Sequence, residues 1–523
     1  MSQMTNSPRT PMSAQATEAK QESTVLPENL GDPSWAWAPY RPDADRPWGL
    51  QLAGHLYRRA AFGANWKELQ QALADGPQVT VGKLLRPSAD VAGFNQAYGG
   101  YEEAGVDSAG GLPAWWLRRL LETPHPLLEQ MTLFWHNHFA ITNARVNNPA
   151  LMCRYVQLLR RQALGRFPAL LEAVVGEPAV LLCLGARANR KARPNLDFPR
   201  ALLEQFTLGP GQFSEEDVQA AGRALTGWFV SQNELNYIGR EHDSGAKKLL
   251  GQQGDFGRKD VARILLEQPA TAQFLVRKLY RWFISETIPP PDSLIAPLAA
   301  DFARDFEVAR LMETMLRSNL FFSAYRQKIK SPVEFAVGLV RPLEGMVGTV
   351  RLASDLAALG QGLLQPPTIK GWAGGRGWIN RFTLLGRAKL AEDLLAGSGP
   401  YEGRLDPAAT ALKYGHSTAE TGSQFLCELF FQGDLPEASR QALLKSASVS
   451  GAGTADDLSG NAGPAVPIPN RESSPPKSSG TLASAATAPG LWFQSEVQRP
   501  GSLSDYLRHL AVLMAALPEW HLA

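Results

Sequence analysis

The chain has 523 residues, 44% of them hydrophobic and 20% charged, with a formal net charge of +2. That balance suits a globular protein with a large buried core, and it excludes the general basic footprint of a nucleic-acid binder. Cys153, Cys183 and Cys427 are the only cysteines and lie far apart in apolar surroundings, so buried thiols are expected rather than a zinc site or a disulfide framework.

Residues 1–47 are polar and Pro/Ser-rich, which predicts a mostly disordered leader whose WAWAPY spot (35–40) docks its tryptophans on the body. The leader lacks the apolar stretch of a secretory signal, and no run approaches the ~18 apolar residues of a membrane span. Cytoplasmic is therefore the default expectation. The body is expected from Trp48, with one helix stopping at Gly63 and a second, capped by Asn65, ending at Gly76. Pro124-His125-Pro126 should break residues 112–142 into two helices, and Asn148-Pro149 should open a long amphipathic one.

Residues 193–228 read as a helical hairpin. Asp197 is the expected cap of its first helix, and Gly209-Pro210 its stop. Ser214 and Asp217 form a capping box opening the second, whose buried face is expected to run through Leu225 to Trp228 and Phe229. The acids at that helix start would repel phosphates, which argues against DNA reading by this hairpin. Residues 229–257 suggest a small β-hairpin or an irregular loop. Helices then resume, and Ser331-Pro332-Val333-Glu334 is another capping box. A Gly- and Trp-rich loop spans 366–380, a helix covers Arg381–Leu395, and 446–499 reads as a linker or disordered insertion. A final apolar helix within 500–523 needs a partner face and should pack back on the body. The expected architecture is mainly α: a multi-helical single large domain over 48–445 with a small irregular or β-hairpin insertion.

Several pieces occur in a fixed order: HLYRRAAFG (55–63), MTLFWHNHF (131–139), the 193–228 stretch, HDSGAKKLLG (242–251), KIKSPVEFAVG (328–338) and LGQGLLQPPTIKGWAGGRGWI (359–379). Together they resemble the bacterial family called domain of unknown function (DUF) 1800. The resemblance implies a largely helical domain, no settled activity, and a sulfatase-like protein from a neighbouring gene as a partner. This chain departs from the family pattern at Leu196, Asp197, Ala201 and Lys248.

His136 and His138 invite a metal reading, but residues i and i+2 of a helix point about 200° apart. Both would serve one ion only if the helix broke near Asn137; otherwise they are core histidines bonded to backbone or a carboxylate. His242-Asp243 sits in a Gly-bearing loop, where it suits either a site or an ordinary Asx turn. Arg200 and Glu204 are spaced to pair on one helix, whereas a buried Glu204 would suit a general base. Lys328 and Lys330 are either solvated or aimed into a cleft. The loop holding Lys370, Gly371, Trp372, Gly374, Gly375 and Trp378 is either a packed surface or a ligand rim. No P-loop spacing and no G-x-S-x-G elbow is present.

The most concrete enzyme reading is a metal-assisted hydrolase with one polar cleft. His138, His242 and Asp243, with His136, would hold a divalent metal; Glu204 would activate water; Asp197, Arg200, Lys328 and Lys330 would bind substrate. The alternative is a non-catalytic binding or assembly protein with the Trp-rich leader and loop as its contact surface.

Overall fold

A computed structural model of the chain describes residues 31–87, 91–98, 110–449 and 502–523. Helices dominate them, as the periodicity predicts, and the only sheets among these residues are two small antiparallel pairs. The expected linker over 446–499 lies almost wholly outside the described residues, as does the leader before residue 31.

Within residues 31–47 the stretch around Trp35–Tyr40 docks on the body, while residues 41–45 are exposed. Asp32 caps a short helix at Pro33–Ala36, Trp37 Nε1 donates to the Leu294 carbonyl at 2.9 Å, and the Tyr40 ring is fully buried. The aromatic spot thus buries enough apolar surface to order a polar segment. Helix α1 (Leu50–Ala60) follows, then α2 (Trp66–Leu85), capped by Asn65 with Glu68. Gly76, at φ +76° and ψ 170°, leaves the helical region and divides α2 into two helices, as expected, and Pro77 sits in the first turn of the second, where its missing N–H costs nothing.

The prolines at 124 and 126 separate α3 (Gly111–Glu122) from α4 (Pro126–Phe139). Of α4 only Leu128 and Asn137 escape full burial, so it is an interior helix rather than an amphipathic one. Its Glu129 is held by Arg119 of α3 and by Arg160 of α5 (Pro149–Gln162), the latter at 2.7 Å, while Trp116 Nε1 donates at 3.2 Å. Burial alone would raise the Glu129 pKa; the two guanidinium charges outweigh it and hold the carboxyl below its usual range.

The hairpin at 193–228 differs in three ways from its reading. Asn195, not Asp197, accepts from the free Phe198 N–H at 2.8 Å, leaving Asp197 exposed as the first helical residue. After Ala201 the helix widens into a π-turn over Leu202–Thr207, with Leu208 N bonded to Leu203 O five residues back at 2.8 Å. Its partner α6 (Glu215–Ala224), opened by the Ser214–Asp217 box, stops before Trp228. Gly227 turns the chain there, and Trp228 and Phe229 enter β1 (Trp228–Ser231). Strand β1 pairs with β2 (Glu234–Tyr237), from Trp228 opposite Tyr237 to Ser231 opposite Glu234; β3 (Lys247–Leu249) pairs with β4 (Gln252–Gly254).

Three more helices position the cleft: α7 (Pro269–Phe283), α8 (Pro332–Val340) with its predicted capping box, and α9 (Arg381–Leu395). Helix α10 (Leu503–Ala516) packs on α9 and on the helices between residues 407 and 449, burying Leu507, Leu510, Ala511 and Met514. Beyond it, Leu522 pairs with Ile329 in an antiparallel bridge.

Candidate functional site

The predicted donors do not meet. His138 is buried among Phe134, Phe139, Phe167, Phe206 and Phe274, and its Nε2–H donates to the Phe206 carbonyl at 3.1 Å. That carbonyl belongs to the π-turn, so the histidine serves as a backbone clamp. His136, also fully buried, lies on another face of the unbroken α4, ringed by Trp116, Tyr155 and Trp372. Burial pushes its pKa down to about 3.

His242 sits beyond the first hairpin, bonded through Nδ1 to Thr226 O at 3.0 Å. Asp243 places both carboxyl oxygens on Arg223, at 2.7 and 3.0 Å, and makes the Asx turn to Gly245 N. The Arg223 hydrogen bonds lead in holding Asp243 down at about 2. Arg200 pairs with Glu215 rather than Glu204, at 2.8 Å. Among the described residues no three His, Cys, Asp or Glu side chains gather where they could hold a metal ion. The structure does not bring His136, His138, His242 and Asp243 together: each is committed to, or enclosed in, a different local structure.

Other predicted residues do converge. A cleft of about 590 Å³ is lined by Phe134 and Asn137 of α4, Lys278, Arg281 and Trp282 of α7, Glu286, Lys328, Glu334 of α8, and the loop from Pro367 to Trp378. Its volume suits a small organic ligand. Trp282, Trp372 and Trp378 supply flat apolar walls. Glu204 touches this rim from outside, 3.9 Å from the exposed Lys370, and accepts from Gln205 at 2.9 Å.

Lys328 and Glu334 are each 3% exposed and form an ion pair at 2.5 Å. Glu334 also caps its own helix through Ser331, so one carboxylate orients a helix and neutralises a cleft lysine. Lys328 Nζ stands 4.7 Å from the Trp282 ring. Burial tends to raise the Glu334 pKa, but the Lys328 charge prevails and keeps it below its usual value. Lys330 points the other way, its Nζ 3.6 Å from the Trp520 ring and out of the cleft lining. Burial, then the Arg58 charge, holds that amine far below its usual pKa.

Sequence reasoning missed Lys278, Arg281, Trp282 and Glu286. Lys278 is half-buried, 5.1 Å from the Phe274 ring, and makes no ion pair or hydrogen bond among the described residues. Burial first and Arg281 second bring its pKa down to about 7. Glu286 has one carboxyl oxygen, Oε2, out of solvent and without a partner, and burial raises its pKa. The only available signal was the i, i+4 spacing of Lys278 and Trp282, which placed them on one helix face.

The rim loop rests on this wall. Trp372 N donates to Asn137 Oδ1 at 2.7 Å, and Arg281 donates to the Ala373 carbonyl at 3.0 Å. Gly371 has φ +78°, and a Cβ there would lie 2.2 Å from Asn137 Oδ1; at Gly374, φ +72°, it would lie 2.9 Å from Glu286 Oε1. Only glycine permits both that backbone and that approach.

Fold and site together define a multi-helical protein with one aromatic-walled cleft carrying both lysine and glutamate. No helix among the described residues is long and apolar enough to cross a membrane. The chain belongs to the family described as "Protein of unknown function (DUF1800)", whose profile matches residues 55–521. No curated protein matches it, and no solved structure does.

Proposed function

We propose that the protein is an acid–base enzyme acting on a small ligand that combines an anionic group with a flat ring. One observation carries this reading: within a single Trp-walled cleft, Lys278 is a cation without a counter-ion and Glu286 has a carboxyl oxygen without a partner. In sequence the two flank Trp282. Lys278, reinforced by Arg281, anchors the anion; Trp282 carries the ring; Glu286, kept protonated more readily than a surface glutamate, donates the proton. Metal-assisted hydrolysis through the histidines has no converging donor set to support it.

The test is saturable binding of aromatic carboxylates and of sulfated or carboxylated sugars, followed by tryptophan fluorescence and thermal shift. Binding should be lost in Lys278→Met, while Glu286→Gln should bind normally and turn nothing over. A panel that shows no saturation, or binding indifferent to Lys278→Met, overturns the assignment.

A second reading, assembly with a partner protein, is favoured by the face of α9 beside the rim loop, where Phe382 is 70% and Leu385 66% exposed. The sulfatase-like neighbour implied by the family is the partner to try. Co-elution abolished by Phe382→Glu with Leu385→Glu would support it, and persistence of the complex in that variant would remove this surface from consideration.

A further inference from the structure

The buried histidines of this protein are used unequally. His55 spends Nε2 on the Phe321 carbonyl at 3.0 Å, and His138 spends Nε2 on Phe206. His136 is equally buried and spends neither ring nitrogen. Buried polar atoms are nearly always paired, so an imidazole kept out of water with its whole hydrogen-bonding capacity unused calls for a physical reason.

Its surroundings supply one. The ring is bounded by Trp116 (centroids 5.3 Å apart), Tyr155 (6.0 Å) and Trp372 (5.5 Å). Trp116 has its N–H on Glu129, but Tyr155 Oη and Trp372 Nε1 are also buried without partners. Three neighbouring side chains thus hold unspent polar atoms. One of them, Trp372, is also a wall of the cleft, and the residue after His136, Asn137, lines it too. The Trp372 indole therefore stands between the imidazole and the cleft.

That indole rides on a glycine-rich loop held to the wall by single side-chain contacts. Beside the indole its side-chain attachments are Asn137 to Trp372 N and the exposed Arg281 to the Ala373 carbonyl; further along, Lys370 faces Glu204, Gly375 meets the Glu286 carboxylate and Thr383 holds the Trp378 carbonyl. Gly371, Gly374 and Gly375 allow the backbone around it to change conformation at low cost.

We infer that His136 is a sequestered general base of this cleft, held behind Trp372 and presented to ligand when loop 366–380 lifts. An imidazole in that position takes a proton from a ligand O–H or N–H onto a free ring nitrogen, while Glu286 gives one up at its carboxyl; the two protons return through solvent after release. Enclosure keeps the base neutral until the ligand arrives. The inference rests on the cleft being the functional site and adds the second proton-transfer group to it.

The experiment is diethyl pyrocarbonate labelling of the full chain at neutral pH, read residue by residue by peptide mass spectrometry, with the half-buried His416 as internal reference. Unmodified protein should show His136 strongly protected. Trp372→Ala and, separately, Asn137→Ala, which keeps the indole but cuts its clip, should each speed labelling of His136 relative to His416 on the order of tenfold or more. Protection unchanged in both variants overturns the inference. His136→Leu guards against a purely structural role: removing unspent polar atoms from the interior should raise the thermal midpoint, whereas a fall would show the imidazole to be held in a bonded network, which also overturns it. Because no ligand enters these measurements, an exposed His136 beside a cleft that binds no anion would count against the proposed function. Anion binding with His136 permanently protected would count against this inference alone.

Discussion

Replacing Lys278 by methionine should make the protein more stable, and the gain should depend on pH in a defined direction. The substitution keeps an unbranched apolar stem beside Phe274 and removes the charge. Burial and Arg281 lower the amine from 10.5 to about 7, a depression of about 3.5 units, each worth ~1.36 kcal/mol. The ceiling is about 5 kcal/mol; water reaching a half-buried amine reduces it, so about 3 kcal/mol is the expected gain at pH 6. The sign follows from proton counts. Between pH 7 and 10.5 the unfolded chain holds the proton that the folded protein has released, so folded stability rises with pH across that window. The penalty is complete below pH 7 and gone above 10.5. Urea denaturation at pH 6, 7.5 and 9 should therefore show a wide gap between variant and parent that narrows as pH rises. A variant less stable than the parent, or a gap constant with pH, would refute the placement of an uncompensated amine in the cleft. Stability gained together with ligand binding lost is the pattern expected of a residue kept for function.

Lys328→Met should act oppositely, costing about 3–5 kcal/mol because it strands the buried Glu334 charge; calorimetry would show it, and a near-neutral result would contradict the buried pair. Asp243→Asn should cost about 1 kcal/mol at pH 7, since Asp243 is partly exposed. Its contribution is present above the ordinary aspartate value of 3.8 and fades as pH falls toward about 2, so parent and variant should converge in acid titrations over that range. Gly371→Ala should displace the rim loop from Asn137, costing at least about 1 kcal/mol locally and raising hydrogen exchange at Trp372 N–H; unchanged exchange would show the loop to be held elsewhere.

Local chemistry was legible where it obeys a local rule. The boxes at Ser214 and Ser331, the break at Pro124–Pro126 and the cap at Asn148 follow from neighbouring side chains, and the structure has them where the rules place them. Asn195 and Asp197 both suit a cap, and only the backbone path decides between them. The π-turn was invisible, since it depends on packing around Phe206 and on the His138 clamp rather than on propensity. The candidate site was half legible. Lys328 and the Trp372 loop stood out by composition, but Lys278 belongs to a stretch that reads as ordinary amphipathic helix, and Glu286 lies just beyond its end. Their importance lies in what they lack, a partner, and a missing partner leaves no trace in sequence spacing.

The bridge between Leu522 and Ile329 also sets a schedule. The Lys328 carbonyl accepts from Ala523 N at 2.9 Å, and Lys330 N donates to His521 O at 2.8 Å, so the segment carrying the cleft lysine is completed by residues translated about 190 positions later. At ~5–20 residues per second a nascent chain waits roughly 10–40 s between making Lys328 and making its partner segment. The helices around α4 have time to form first, and this edge of the cleft's charged wall closes only once residues 521–523 have been made.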